Sequence, residues 1–248
     1  MITAAALPGL PEIGLGDDLA ALLLAAVAPD ALRAGDVLVV AHKVVSKAEG
    51  RVVVLADVAP GERARALAAE HGKDPRVMEV ILGESAAIVR SRPGVLICRT
   101  AHGFVCANAG VDASNAAAGE VVLLPRDPDA SARALRARLR DLGATAPAVV
   151  VTDSFGRAWR IGQCDVAIGA AGLAPVDDWR GRRDATGREL SATIVAVADE
   201  AAAAADLARS KDSREPAVLV RGLDRFVVDG DGPGAVALLR ARDEDLFL

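Results

Sequence analysis

Three stretches of this chain set charged and hydroxyl side chains where apolar runs end. In VVAHKVVSKAEGRVV, residues 39–53, a run of small aliphatics delivers His42, Lys43, Ser46 and Lys47 in quick succession. Two ammonium groups near a strand end suit a phosphate clamp, because each is a compact point charge with three donors. The same text also reads as a basic surface turn closing a strand. In HGFVCANAGVDASN, residues 102–115, a single acid, Asp112, sits among small residues with Asn108, Ser114 and Asn115 close by. A carboxylate with neighbouring oxygen donors suits Mg2+ or Mn2+ together with substrate phosphates. An Asx-type turn, with Asp112 and Asn115 satisfying local backbone donors, explains the spacing as well.

The third stretch, AVVVTDSFGRAWRIGQCDVAIG, covers residues 148–169. Here Asp153 directly ends an apolar strand and Ser154 follows it. An unpaired carboxylate is costly to bury, so a metal, a cation or solvent must compensate it. Arg157 and Arg160 follow along the chain and suit bidentate grip of a carboxylate or phosphate. The competing reading is a strand-ending turn in which Arg157 pairs with Asp153. Several familiar signatures are missing. There is no GxxxxGK[ST], since HGKDP lacks both the upstream glycine and the hydroxyl residue, and there is no HExxH or GxSxG. His71 and the three cysteines read as structural or surface residues.

The elements that must position these groups alternate between strand-like and helix-like runs. Residues 17–27 suit a helix behind two acids, and VLVVA, opened by Gly35 and Asp36, suits a short buried strand. Residues 51–58, 77–82 and 94–100 read as further strands, and 60–71 as a helix. Asp129 is expected to cap a helix in which Leu135, Leu139 and Leu142 recur at helical spacing, with Gly143 ending it. AVVVT reads as a buried strand, 189–209 as an Ala-rich helix and 217–221 as a late strand. Residues 156–187, rich in Gly, Arg and Asp, read as long functional loops. No internal repeat and no interior linker stands out, and the order is that of an α+β protein.

Composition narrows the function. Of 248 residues, 52% are hydrophobic and 25% charged, so a sizeable core is available. Aromatics are only 2% and the net charge is −5, which leaves neither stacking platforms nor a basic surface for nucleic acid. The cysteines, Cys98, Cys106 and Cys164, form no disulfide framework or CxxC pattern and suit a reducing compartment. The N-terminal text has no Lys or Arg and is broken by prolines and acids, so it does not read as a signal peptide. Apolar runs such as residues 20–29 fall short of the ~20 residues that span a bilayer. A cytoplasmic protein without membrane association is expected.

Taken together, the text resembles the coenzyme F-420-0 gamma-glutamyl ligase family. The resemblance rests on GLPEI and GDDLA, GDVLVVAHKVVSKAEGRVV, KDPR with VILGES, and HGFVCANAGVDASN. It continues through LLPRDPDASA, VVVTDSFGRAWRIGQCDVAIG, the GREL loop and ADEAAAAADL, nearly the whole chain in order. It implies an α+β fold of mixed sheets with packed helices, two interlocked subdomains and an intertwined homodimer. The ligase domain would span 1–242, divisible into two discontinuous subdomains. Residues 243–248 would be a tail that begins a linker in longer relatives, where text like LLRARDEDLF leads into a flavin-binding reductase domain. Such a reductase, fused or separate, is the macromolecular partner implied.

The resemblance also implies roles for matching positions. Leu10, Pro11, Glu12 and Ile13 match a segment that contacts GTP, as do His42, Lys43, Lys47 and Asn115. Asp112 and Asp153 match ligands of one divalent ion, Mn2+ or Mg2+, and Ser154 a ligand of a second; K+ is an accessory ion in the same reading. One departure stands out. Archaeal members carry a Met-Gly-Glu/Gln pattern after the Ala-rich helix, which supplies another metal ligand, whereas LARSKDSREP places Lys211 there. An ammonium cannot coordinate a metal, and it can instead offset phosphate charge.

The implied reaction joins L-glutamate to the coenzyme F-420 precursor through a gamma-linked amide. GTP would phosphorylate the terminal carboxylate of the precursor's lactyl-phosphate tail, and the amine of L-glutamate would attack the acyl phosphate. Lys43 and Lys47 would steady phosphates, Lys47 among the catalytic residues; Arg157 and Arg160, singled out by residue type and position rather than by the resemblance, are further catalytic candidates for the anionic tail or the incoming glutamate. Two rivals remain open at this level: a metal-dependent phosphatase or kinase on a small phosphorylated acid, and a non-catalytic module that holds the precursor.

Overall fold

A computed structural model of the chain describes residues 1–27, 32–145 and 147–245. After β1 (Thr3–Ala6) an irregular segment leads to α1 (Leu19–Val27), and β2 (Val37–Ala41) runs straight into α2 (His42–Ala48). Then come β3 (Val52–Val54), α3 (Glu62–His71), α4 (Pro75–Glu84), β4 (Ser85–Arg92), β5 (Val95–Thr100), β6 (Val105–Ala107) and β7 (Glu120–Val122). The order continues with α5 (Pro128–Asp141), β8 (Ala148–Arg157), β9 (Arg160–Ala171), β10 (Asp177–Asp178), β11 (Ile194–Val195), α6 (Val197–Ala208) and β12 (Ala217–Arg221). The architecture is mixed α+β, as expected. Among the described residues no helix is long and apolar enough to cross a membrane.

The main sheet has the order β1-β12-β2-β8-β9. Its pairs are antiparallel except β2 with β8, which run parallel in the register Val37↔Ala148 to Ala41↔Thr152. Side chains alternate across a strand, so the sheet's runs of Val, Leu and Ala feed two cores. Leu38, Val40, Val149 and Val151 pack on one face with Leu23 of α1 and Leu139 of α5. Val37, Val39, Val150, Val218 and Val220 pack on the other with Ala198, Ala201 and Ala205 of α6. Alanine gives α6 a flat face that lies close to the sheet. A third core gathers Ala64 and Ala68 of α3, Met78 and Ile81 of α4, Leu96 and Cys98 of β5, and Val121 of β7. This smaller lobe lies between α2 and α5 in the sequence. Its sheets are β4-β5-β6 and β3-β7.

Several expected elements differ. Residues 77–82 are helical, not a strand: Asp74 caps α4 by accepting from the Arg76 amide at 2.8 Å, and Pro75 occupies the first helical position. Their β-branched residues mimic a strand, but Met78 and Ile81 are buried at helical spacing. The cap of α5 is Asp127, which accepts from the Ala130 amide at 2.9 Å. Asp129 is instead buried and accepts from the amides of Ala170, Ala235 and Val236. The segment 189–209 is helical only over Val197–Ala208, because Ile194–Val195 pairs with Asp177–Asp178. Much of 156–187 is no loop, since β9 crosses it. The helix α2 replaces an expected turn. In the tail, Asp245 reaches Arg99 at 3.7 Å, and residues 246–248 lie outside the described residues.

Gly169 shows how tightly α5 seats on β9. A Cβ built there would lie 2.1 Å from the Pro128 carbonyl oxygen, a backbone atom with no room to retreat. Gly169→Ala is therefore expected to destabilise the fold by about 3 kcal/mol through overpacking. At Gly83, in the last turn of α4, a Cβ meets nothing within 4 Å, so Gly83→Ala is expected to stabilise by about 0.5 kcal/mol. Urea midpoints of the two variants should move in opposite directions.

Candidate active site

Because β2 and β8 are parallel and in register, the end of β2 at Ala41 lies beside Thr152, from which β8 runs on to Arg157. From β2 the chain turns into α2, so His42 and Lys43 occupy its first turn; Asp153 and Ser154 follow Thr152 on β8. His42 is 2% exposed, and its Nε2 lies 3.4 Å from Asp153 Oδ1 with no hydrogen-bond partner. Its Nδ1 faces Ser46 Oγ, also at 3.4 Å. Asp153 accepts from the Ser154 amide at 2.8 Å. Its charge reaches across to β6, where burial above all, with Asp153 adding to it, pushes the Cys106 thiol up to about 12. That thiol is inert at neutral pH.

Asp112 arrives from the smaller lobe. After β6 the backbone takes three successive left-handed residues, Asn108 (φ 53°), Ala109 (φ 54°) and Gly110 (φ 75°). For Ala109 that conformation costs about 1 kcal/mol or more. Lys73, which the sequence reading dismissed with its failed P-loop, donates to Asn108 Oδ1 at 2.7 Å and braces the turn. The chain then returns as a single β-bridge, Asp112↔Val122. Lys43 Nζ lies 2.7 Å from Asp112 Oδ2 and donates to Ser114 Oγ at 2.5 Å. Asp112 also accepts from the Ser114 amide, so the Asx turn is present alongside the lysine contact. Burial works to raise the Asp112 carboxyl, but Lys43 and Ser114 outweigh it and hold the carboxyl below its ordinary value. Consecutive residues of α2 thus hold two aspartates that are forty-one positions apart in sequence (153 − 112).

The sequence profile of a family described as "F420-0:Gamma-glutamyl ligase" matches residues 9–222. The chain belongs to that family. It is 49% identical over 234 residues to the coenzyme F420:L-glutamate ligase of Methanopyrus kandleri, covering 94% of this chain and 92% of that protein. It is 44% identical over 242 residues to the enzyme of the same name from Methanothermobacter thermautotrophicus, covering 96% of each.

The other expected positions of this family member divide between two places. Leu10, Pro11, Glu12 and Ile13 lie in the segment between β1 and α1, where Ile13 is buried in the main core and Glu12 pairs with Lys47. Lys47 thereby joins the α2 cluster. Asn115 is exposed in a left-handed turn (φ 58°) just past Ser114. Arg157 and Arg160 stand apart, opposite each other at the tip of the β8–β9 hairpin, where Arg157 donates to the Ile161 carbonyl at 2.9 Å. That tip is four residues beyond Asp153, roughly 13 Å along an extended strand. Within one chain they do not reach the cluster, and Arg157 does not pair with Asp153.

The sequence reading missed Asp165. It sits on β9 directly opposite Ser154 and is only 2% exposed. It accepts from Ser154 Oγ at 2.6 Å and Thr152 Oγ1 at 3.1 Å, and Arg209 pairs with it at 2.5 Å. An acid inside a buried strand, facing a hydroxyl across a hairpin, was the available signal. Lys211 Nζ completes the group, 2.8 Å from Ser154 Oγ and 3.0 Å from Asp206 Oδ1. Among the described residues no group of three or more His, Cys, Asp or Glu side chains could hold a metal. Any ion at Asp112 and Asp153 must therefore take most of its ligands from substrate and water, as Mg2+ commonly does. Two part-exposed carboxylates fit that role.

Burial works to raise the Asp165 carboxyl; Ser154, Arg209 and Lys211 together hold it below its ordinary value. A depressed folded value stabilises the protein fully above the unfolded pKa of about 3.9, and that contribution is lost as pH falls through the folded value. Asp165→Asn, which leaves Arg209 uncompensated, is expected to destabilise by about 3–5 kcal/mol at neutral pH. Its stability should also fall less steeply than the wild type's below about pH 4. Denaturant titrations from acid to neutral pH measure both effects.

Proposed function

We propose that this chain forms a gamma-linked amide between L-glutamate and the coenzyme F-420 precursor, driven by GTP through an acyl phosphate, in the cytoplasm. The single observation that carries the proposal is the convergence of His42, Lys43 and Lys47 on Asp112, Asp153 and Glu12, in a member of a family whose relatives bear that ligase name.

In this reading Lys43 and Lys47 exchange their carboxylate partners for phosphate oxygens when nucleotide binds, and Asn115 and residues 10–13 border the same entrance. The precursor's carboxylate takes the γ-phosphoryl group, releasing GDP; the glutamate amine then attacks the acyl carbon and expels phosphate. Asp112 and Asp153 would hold Mn2+ or Mg2+, which when bound spreads the charge of the triphosphate. The Ser154 amide orients the Asp153 carboxylate, and the buried His42 Nε2 lies 3.4 Å from its Oδ1. None of these side chains needs to act as a nucleophile, so positioning and electrostatics supply the rate.

A homodimer gains support from the hairpin tip, where Trp159 is 79% exposed and Ile161 is 100% exposed beside Arg157 and Arg160. In a dimer those arginines are available to a neighbouring site.

The decisive assay combines GTP, Mn2+, L-glutamate and the unglutamylated precursor and reads products by mass. Stepwise gain of glutamyl units is expected. Phosphate release from GTP without glutamate would point to a phosphatase or kinase, and precursor binding without any turnover to a holding module. Asp153→Asn is expected to lower ligation at least about a hundredfold while leaving the melting temperature near that of the wild type. Near-normal ligation by that variant would remove Asp153 from the site.

A further inference from the structure

The family resemblance expects a second divalent ion on Ser154, and the surroundings of that hydroxyl do not suit one. A serine hydroxyl offers one proton and two lone pairs. The proton of Ser154 goes to Asp165 Oδ1 at 2.6 Å, and a lone pair accepts from Lys211 Nζ at 2.8 Å. The carboxylates that would attract an ion there are already matched. Arg209 pairs with Asp165, and Lys211 lies 3.0 Å from Asp206 and 3.7 Å from Asp165. Two cations thus balance two carboxylates around a neutral hydroxyl. A divalent ion on Ser154 would meet an ammonium within hydrogen-bond reach of the same oxygen, and like charges that close repel strongly.

We infer that Lys211 is a tethered cation that occupies the position of a second divalent ion at Ser154, so that the loaded protein holds one ion, at Asp112 and Asp153. The placement explains why a lysine is tolerated beside Ser154. The positive charge required near the developing acyl phosphate is supplied by the chain itself, independent of metal concentration. This inference rests on the proposed GTP- and metal-dependent ligation.

Counting bound ions tests it. Full-length protein is equilibrated with Mn2+ and a non-hydrolysable GTP analogue, and free Mn2+ is read by electron paramagnetic resonance. The wild type is expected to bind one ion per chain. Lys211→Glu, which turns the ammonium into a third carboxylate beside Asp165 and Asp206, is expected to bind two. The Lys211 side chain is 71% exposed, so the fold should survive; Lys211→Gln, expected to show a second, weaker ion, serves if Lys211→Glu does not fold. Two ions in the wild type, or one in every folded Lys211 variant, would overturn the inference. Asp153→Asn separates the two readings, since it should abolish the remaining ion. Two wild-type ions of which one is lost in Asp153→Asn would sink only the lysine's role, whereas no ion in the wild type would sink the metal reading as well.

Discussion

The parallel pairing of β2 with β8 is the constraint on which the rest depends. Parallel strands in register run toward the same edge, so the residues after the end of β2 lie beside the continuation of β8. Ala41 opposite Thr152 fixes the register, and the next residues along are His42 and Lys43 on one strand, Asp153 and Ser154 on the other. A shift of one residue would exchange the faces of both apolar runs, burying the wrong set against α6 and α5. Two separate cores therefore defend the register that places four polar side chains side by side.

Much of this was legible because the same patterning that buries a strand also marks where it stops. VLVVA and AVVVT are continuous apolar runs, as strands covered on both faces must be, and the polar residues after each mark where its buried part ends, β2 turning into α2 and β8 running on into its hairpin. Asp153 stood out for that reason, and Asp112 as a single acid among small residues with Asn108, Ser114 and Asn115 close by. Other features were hidden by competing signals. Val77, Val80 and Ile81 carry strand propensity, yet the Asp74–Pro75 start imposes a helix. Asp127 and Asp129 are both plausible caps two residues apart, and only tertiary structure shows that Asp129 is claimed by three amides from β9 and the C-terminal segment. The strand β9 escaped notice because its first half projects from the core and alternates nothing apolar, and because Gly169 is required by contact with Pro128 rather than by a turn.

Asp165 and the Arg209–Lys211 segment were illegible for a deeper reason. Their significance lies in who faces whom across a hairpin and a helix end, and no local pattern encodes a partner forty-four residues away (209 − 165). A buried aspartate taken alone is an expense; with two hydroxyl donors and a guanidinium around it, the same group holds Ser154 and Thr152 in fixed orientations. The departure at Lys211 reads from sequence as a lost metal ligand. In the fold it is a cation seated on the hydroxyl that the metal was expected to use.

The charges around the site are balanced pair by pair: Lys43 with Asp112, Lys47 with Glu12, Arg209 with Asp165, Lys211 with Asp206. The pairs differ in how firmly they are held. Glu12 is 84% exposed and Asp112 42%, whereas Asp165 is 2% exposed. Exposed partners are weakly bound and exchange readily, while a buried pair is held by the desolvation of whichever charge would be left behind. Under the proposed reaction an incoming triphosphate would compete for Lys43 and Lys47, whose partners are the more exposed carboxylates, and would free Asp112. The buried pair of Arg209 with Asp165 holds the acceptor of the Ser154 hydroxyl in place. The gradient of burial, from the N-terminal segment inward to β9, thus separates exchangeable charges from those that hold the frame around Ser154.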